Sequence, residues 1–356
     1  MKKALKSLIL GLAVLMLAST LMPAFALAEE AQEQNDGWVN FFLICNEGMV
    51  NGGGNSGNTM MVVAMHPESG KIRLMMFTWD TFVHYEGYDL PQKIDMPYRN
   101  EGPEGTLKVF DENFGLDIHV FMSLNFLNLA SLIDTYGGVD VDITRAERNA
   151  LNGMVASKHE ALQAQADTGL LSQAVVEMLA KEYYLNDYGP DTHLNGLQAV
   201  GFGWLQYDSV YNCCERDVEV IANLFESVAK TINSKVVFYT DDADEPEEIE
   251  GRRAVNLDAL TDDDFDFLRE LVDPIFQKSE HNLTEEEIHD ISLALAHTAY
   301  TASRQGLDIF DSLDCAILPL EATDEYDVVG GVKGHLVDVE ANTAAMRAFL
   351  YAEDDE

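Results

Sequence analysis

Asp80 and Thr81 close an apolar run, KIRLMMF, in the stretch FTWDTFV, with Trp79 beside them. A carboxylate at the end of a buried strand must be solvated, paired or bound to a cation, because burying it alone is costly. Two readings are open: Asp80 serves a metal and phosphate site, or its side chain caps a turn. Lys93, in KID, and Arg216, in ERD, could join it in charge chemistry. No other catalytic set is present. HExxH and GxSxG are absent, no Cys/His cluster has metal-ligand spacing, and the nine histidines are scattered. The acidic runs at 241–250, 262–264 and 285–287 lack the spacing of a calcium loop and read as solvated faces.

The chain has 356 residues and a formal net charge of −40. Residues 1–28 read as a signal peptide: Lys2, Lys3 and Lys6, then an apolar stretch from Leu8 to Leu21, then Ala26-Leu27-Ala28 as the cleavage site. The alternative is an uncleaved N-terminal tether, since the apolar span approaches the roughly 20 residues that cross a bilayer. Either places the mature protein outside the cytoplasm, secreted or associated with the cell envelope. Without the three leader lysines, 19 basic residues face 62 acidic ones. That field repels polyanions, so nucleic acid is excluded as a partner. Cys45, Cys213, Cys214 and Cys315 are an even set that permits disulfides in such a compartment; the vicinal pair also reads as reduced thiols in a loop.

After a polar leader (29–37), one domain is expected over 38–351, with an acidic surface loop at 241–250 and an acidic tail at 352–356. WVNFFLIC, TMMVVAMH and KIRLMMFT read as strands; the last two form a hairpin through Pro67-Glu68-Ser69-Gly70. Nearly every position in them is apolar, as in strands covered on both faces. HVFMSL is a further strand, Asn125 caps a helix, Gly137-Gly138 ends it, and VDVDI returns as a strand. Helices are expected over 145–185, 193–206 and 215–232, and a strand over 235–239. Thr261 and Thr284 are expected N-caps, followed by a strand at Cys315, a Gly330-Gly331 turn, a strand HLVDV and a helix from about Asn342. The alternation implies an α/β fold.

NTMMVVAMHPESGKIRLMMFTWDTFV, then GGVDVDI, HLNGLQAVGF and ERDVEVIANLF, resemble the LytR-CpsA-Psr family over roughly residues 38–351. The resemblance implies a central mixed sheet sandwiched between helices. It implies a site for a polyprenyl-pyrophosphate-linked glycan, with the lipid in an apolar cleft. With magnesium held by Asp side chains and with arginines, such proteins pass the glycan phosphate to peptidoglycan or another acceptor.

Placed on this chain, the family's acidic positions are Asn46 and Asn58. Its arginine positions are Ser56, Trp79, Trp204, Gln206 and Cys213; Asp80, Thr81, Lys93 and Arg216 remain. The resemblance thus names Asp80 and Arg216 as catalytic remnants and Asp80 as the metal ligand. Asn46, Asn58, Trp79, Thr81, Lys93, Trp204, Gln206 and Cys213 are the cleft residues. Asn for Asp removes the charge that holds a divalent ion, and Trp for Arg removes a bidentate phosphate clamp. Each lost donor costs on the order of 2–4 kcal/mol of transition-state stabilisation. The expected function is therefore a catalytically degenerate relative that binds polyprenyl-linked glycan or a cell-wall component, or regulates glycopolymer attachment, with no cofactor. The alternatives are an active magnesium-dependent phosphotransferase and a non-catalytic acidic scaffold. Trp79 and Trp204 read as core fillers, or as a stacking surface for sugar or prenyl groups. The family geometry also puts Cys45 near Cys213 and Cys214, so a disulfide from Cys45 to one of them is expected.

Overall fold

The computed structural model describes residues 37–46, 57–168, 172–173, 177, 181–241, 251–305, 313–319 and 324–350. The leader, Ser56, most of the acidic loop and the tail lie outside the described residues.

Continuous apolar runs make the three opening strands. β1 (Val39–Asn46), β2 (Gly57–Met65) and β3 (Ile72–Phe77) are buried along almost their whole length. β2 pairs antiparallel with both neighbours, and Gly70 N donates to His66 O at 2.9 Å to close the expected turn. β6 (Phe121–Asn125) and β12 (Leu313–Leu318) add in parallel to β1 and β3, and β11 (Glu280–His281) pairs antiparallel with β6. The result is a mixed six-stranded sheet in the order β11-β6-β1-β2-β3-β12.

Side-chain alternation divides the core in two. Phe41, Leu43, Met61, Val63, Leu74 and Met76 face one helical layer: α2 (Phe126–Thr135), α4 (Gly196–Gly203), α5 (Val210–Lys235), α6 (Asp262–Lys278) and α7 (Glu285–Gln305). Phe42, Ile44, Val62, Met75 and Phe77 face α1 (Met96–Phe114) and α8 (Val339–Leu350). This is the expected α/β architecture, a mixed sheet between helices. On the α8 side the buried Arg73 donates to Leu350 O at 2.7 Å and lies 4.1 Å from the centroid of the Trp38 ring, which pins the end of α8 to β3.

Three smaller sheets surround this core. β13 (Asp324–Val329), β14 (Val332–Val337), β4 (Thr81–Val83) and β5 (Gln92–Lys93) form one; β7 (Val139–Ile143) with β8 (Gly189–Leu194) forms a ribbon; β9 (Val236–Tyr239) and β10 (Arg253–Asn256) form a parallel pair. VDVDI is therefore a strand, in a separate ribbon rather than the central sheet. His193 and Leu194 belong to β8, and the helix expected over 193–206 starts only after the Asn195 cap. The expected caps at Asn125, Thr261 and Thr284 all form. α3 (Arg145–Asp167) begins on a Thr144–Glu147 capping box. No described helix is long and apolar enough to cross a membrane.

The Asn195-Gly196 step fixes how α4 meets α2. Gly196 N donates to Asp134 Oδ1 at 2.7 Å, and a Cβ there would stand 1.8 Å from Ala130 O, a backbone atom that cannot swing away. Gly196→Ala should lower stability by about 3 kcal/mol. Gly153→Ala, on an exposed turn of α3 with open space around it, should raise it by about 0.5–1 kcal/mol. Chemical denaturation of the two variants checks the opposite signs.

Candidate functional site

Parallel β1, β6, β3 and β12 end at one edge of the central sheet, and antiparallel β2 begins there. The carboxyl edge of such a sheet is where a crevice can form. Here Asn58 and Met76 from the sheet and Trp79 from the turn after β3 face Trp204 at the end of α4, Gln206 in the following loop, and Cys213, Cys214 and Asp217 near the start of α5. They enclose a pocket with about 230 Å³ of empty space, its mouth included. The fold thus brings five of the cleft residues named from sequence into one pocket: Asn58, Trp79, Trp204, Gln206 and Cys213. Lys93, on β5, stands at its side with Nζ 4.6 Å from the Trp79 ring centroid.

Others from that set lie elsewhere. Asn46 is buried, its amide donating to Tyr98 Oη (2.8 Å) and to Leu124 O (3.3 Å). Thr81 is buried and shares a 2.7 Å hydroxyl contact with Thr78. Arg216 does not line the pocket. Its Nη1 and Nη2 grip Asp208 at 3.0 and 2.8 Å, Nη2 also donates to Leu205 O, and Glu147 stands 3.7 Å away. Burial alone would raise the Asp208 pKa, but the Arg216 hydrogen bonds and charge more than offset it and hold the carboxyl below its usual range.

Asp80 sits between β3 and β4 at 1 % exposure. His335, on β14, faces it with Nε2 3.4 Å from Oδ1. Burial raises the Asp80 pKa, with His335 first and Lys93 second pulling the other way. Gly334 permits the approach, since a Cβ on it would lie 2.3 Å from Asp80 O.

Asp217 has a separate network. Thr59 Oγ1 donates to its Oδ2 at 2.5 Å, and Trp204 Nε1 donates to Thr59 Oγ1 at 3.2 Å. Burial pushes the Asp217 carboxyl up to about 7, with the Thr59 hydroxyl resisting. Sequence reasoning passed over Thr59, Asp217 and His335; the apolar sequence beside Thr59 and the Asp217 position directly after Arg216 were the available signals.

All four cysteines are free and buried, so the expected link from Cys45 to Cys213 or Cys214 is not formed. The vicinal pair lies in the first turns of α5 rather than in a loop. Burial, with Asp217 adding, pushes the Cys213 thiol up to about 12, and burial raises Cys214 and Cys45 as well.

Next to the pocket, between α5 and the sheet, lies a second space, about 530 Å³ with its opening to solvent included, lined by apolar side chains, among them Phe41, Leu43, Met122, Ile221, Phe225 and Leu295. Asp217 and Ile221 are one helical turn apart on α5, so the polar pocket and the apolar space are neighbours along one helix.

The LytR_cpsA_psr family model matches residues 24–237. The chain belongs to that family. Membership carries the family's general role, the handling of glycopolymers at the cell envelope, and an extracytoplasmic context. Among solved structures, TagV of B. subtilis is 13% identical with a TM-score of 0.55, covering 89% of this chain and 98% of its own. TagT bound to LIIa-WTA is 12% identical with a TM-score of 0.54, covering 89% and 91%. The protein gbs0355 from Streptococcus agalactiae is 12% identical with a TM-score of 0.55, covering 92% of each chain. At such identities the likeness is one of fold. No curated protein matches the chain.

The magnesium implied by the family needs a near-octahedral set of oxygen ligands. The residues present do not fit it: Asp80 Oδ1 faces an imidazole, the Asn46 amide is engaged elsewhere, and no group of three or more acidic, His or Cys side chains could hold a metal among the described residues.

Two measurements follow. Native Asp217 keeps its proton until about pH 7, whereas the unfolded residue releases it near 3.8. The native state therefore binds the extra proton between those values, and stability falls as pH rises through that window. Asp217→Asn should remove on the order of 4 kcal/mol of that fall, read by denaturation between about pH 4 and about pH 7. A thiol reagent at neutral pH should find no fast-reacting cysteine in the native protein and four in the denatured one.

Proposed function

We propose that this chain binds a polyprenyl-linked cell-wall glycan, with the prenyl chain in the apolar space and the head in the pocket above it, and does not transfer the glycan. The carrying observation is the adjacency of these two spaces along α5: one wholly apolar, the other flanked by two indoles. Such a pairing suits an amphiphile. Indole faces stack against sugar rings and prenyl groups alike, and the apolar walls gain by covering a hydrocarbon chain.

Phosphoryl transfer needs positive groups around the bridging phosphates as charge develops. Arg216 is committed to Asp208 and Leu205 O, and the wall positions 204 and 206 are Trp and Gln. Those side chains support holding the ligand over cleaving it.

The second reading, an active phosphotransferase to peptidoglycan, is the one that the likeness to TagT and TagV favours. One of those structures is of TagT bound to LIIa-WTA, and it aligns over 89% of this chain.

Purified protein incubated with a polyprenyl-pyrophosphate-linked glycan, peptidoglycan acceptor and magnesium separates the readings. Lipid that stays bound and intact is the expected result. Hydrolysis or transfer of the glycan phosphate would establish the transferase reading instead. Neither binding nor turnover would leave the fold as a scaffold.

A further inference from the structure

Exposed apolar side chains scattered singly over a surface are ordinary, whereas gathered ones mark a contact. Among the described residues nine large apolar or aromatic side chains are exposed, and five of them, Leu90, Val332, Leu127, Tyr184 and Tyr207, stand around the mouth of the pocket. Tyr207 directly follows the lining residue Gln206. Leu127 follows Phe126, whose ring centroid lies 5.5 Å from that of Trp204; Tyr184 follows Tyr183, whose ring stacks on Phe126 at 6.0 Å. On the other side, Leu90 stands just before Lys93, which lies against the Trp79 ring. It meets the tip of the β13–β14 hairpin, where a Cβ on Gly330 would come 3.1 Å from Leu90 Cδ1. Val332 leads from that tip to His335, the partner of Asp80.

The negative charge of the protein is concentrated away from this rim. α2 and α5 begin beside the mouth and carry no acidic residue in their first turns. α7 begins at the opposite edge, just after Asn282 accepts from Phe121 N at the start of β6, and it opens with Glu285, Glu286 and Glu287. α6 ends beside α2, where Asn128 donates to Lys278 O. Its opening Asp262, Asp263 and Asp264 therefore lie a helix length away, about 25 Å. Along the rim segments Asp89, Glu182 and Asp187 stand against Lys93, Lys181 and Arg148, a balance close to neutral.

A near-neutral ring of leucine, valine and tyrosine on an otherwise acidic body suits the bilayer–water interface. Tyrosine rings settle there, and aliphatic side chains dip below the head groups. We infer that the rim of the pocket is a membrane-docking surface, which rests on a lipid bilayer with the acidic edge turned out into solvent. The inference rests on the lipid-binding reading for its purpose: a prenyl chain has to pass from a bilayer into the protein, and no described helix crosses a membrane. A tether through the leader would by itself present the other edge, because Gly37 enters the fold beside His66, at the end of β1 away from the pocket.

Leu127→Cys and Glu286→Cys, each with a fluorophore on the new thiol, test this in the full-length chain, since the four native cysteines are buried. The quencher is a nitroxide high on the acyl chain of phosphatidylcholine vesicles that contain no prenyl lipid. The label on Leu127→Cys should be quenched at least about threefold more than that on Glu286→Cys, because a rim seated about 5–10 Å into the interface leaves the far edge in water. Leu90→Ser with Val332→Ser, both at exposed positions, should cut that quenching by about half or more, while thermal unfolding stays that of the parent. Equal quenching of the two labels, or stronger quenching on Glu286→Cys, would overturn the inference, and so would undiminished quenching in the double variant. Shielding of the Leu127→Cys label that grows with protein concentration in the absence of vesicles would overturn it in favour of a contact between copies of the chain. Prenyl lipid taken up from detergent, with no preferential quenching on Leu127→Cys, would overturn the docking alone. Preferential quenching without prenyl uptake would leave the docking standing and overturn the lipid-binding reading.

Discussion

Arg216 gives both arms of its guanidinium to the protein itself, and the character of the pocket follows from that. A buried guanidinium has to be matched by carboxylate and carbonyl acceptors, because removing one partner leaves an uncompensated charge in a low-dielectric setting. Asp208, Leu205 O and Glu147 meet that need from the loop before α5 and the first turn of α3. The guanidinium thereby ties α3, α5 and the intervening loop together. Its charge reaches the adjoining space only as a partial offset to the burial of the Cys213 and Cys214 thiols, and the wall is built from groups stable without a counter-ion. Trp204, Gln206 and two protonated thiols are such groups, and an Asp217 carboxyl that keeps its proton up to about pH 7 belongs with them.

Asp80 has a different solution to the same burial problem. Its charge partner, His335, comes from a strand far along the chain and beyond the residues 24–237 matched by the family model. β14 reaches it by running parallel to β4, with His335 opposite Thr81 and with Gly334 small enough to pass the Asp80 carbonyl. Tyr211, on α5, sets the edge of its ring against the same imidazole at 5.4 Å and donates to Pro319 O at 2.9 Å. The C-terminal strands therefore brace the turn that carries Trp79 and Asp80 as well as adding a layer to the fold.

Much of the architecture was legible because the local rules agreed with one another. β1 to β3 are apolar at almost every position, and only strands covered on both faces tolerate that. Asn125 and Thr284 signalled helix starts through side-chain capping, a purely local effect. α1 was not legible: Pro103 and Gly105 speak against a helix, and the chain turns at Gly102 with φ +76° inside it. Burial of Tyr98, Phe110 and Phe114 against the sheet overrides that propensity. VDVDI was legible as a strand, but its alternation fits any half-buried sheet; its partner β8 decides its place, and GPDTHL has little strand character of its own. At the site, side-chain types could be read off, and the convergence of Trp79 with Trp204 was implied by the family resemblance. The pairing of Asp80 with His335 and of Asp217 with Thr59 depends on long-range register, which no local pattern encodes.

α5 is the element that sets the polar and apolar spaces side by side. Cys213, Cys214 and Asp217 line the pocket, and Ile221, Leu224, Phe225 and Val228 line the apolar space, at spacings of three and four residues along one helical face. An amphiphile lying along this face has its head beside the first two turns of the helix. The aligned peptide dipoles there amount to roughly half a positive charge, and the first turn carries no acidic residue to cancel it. Lys93 adds one full charge from β5. Among the described residues, the guanidinium beside the pocket, that of Arg216, points at Asp208.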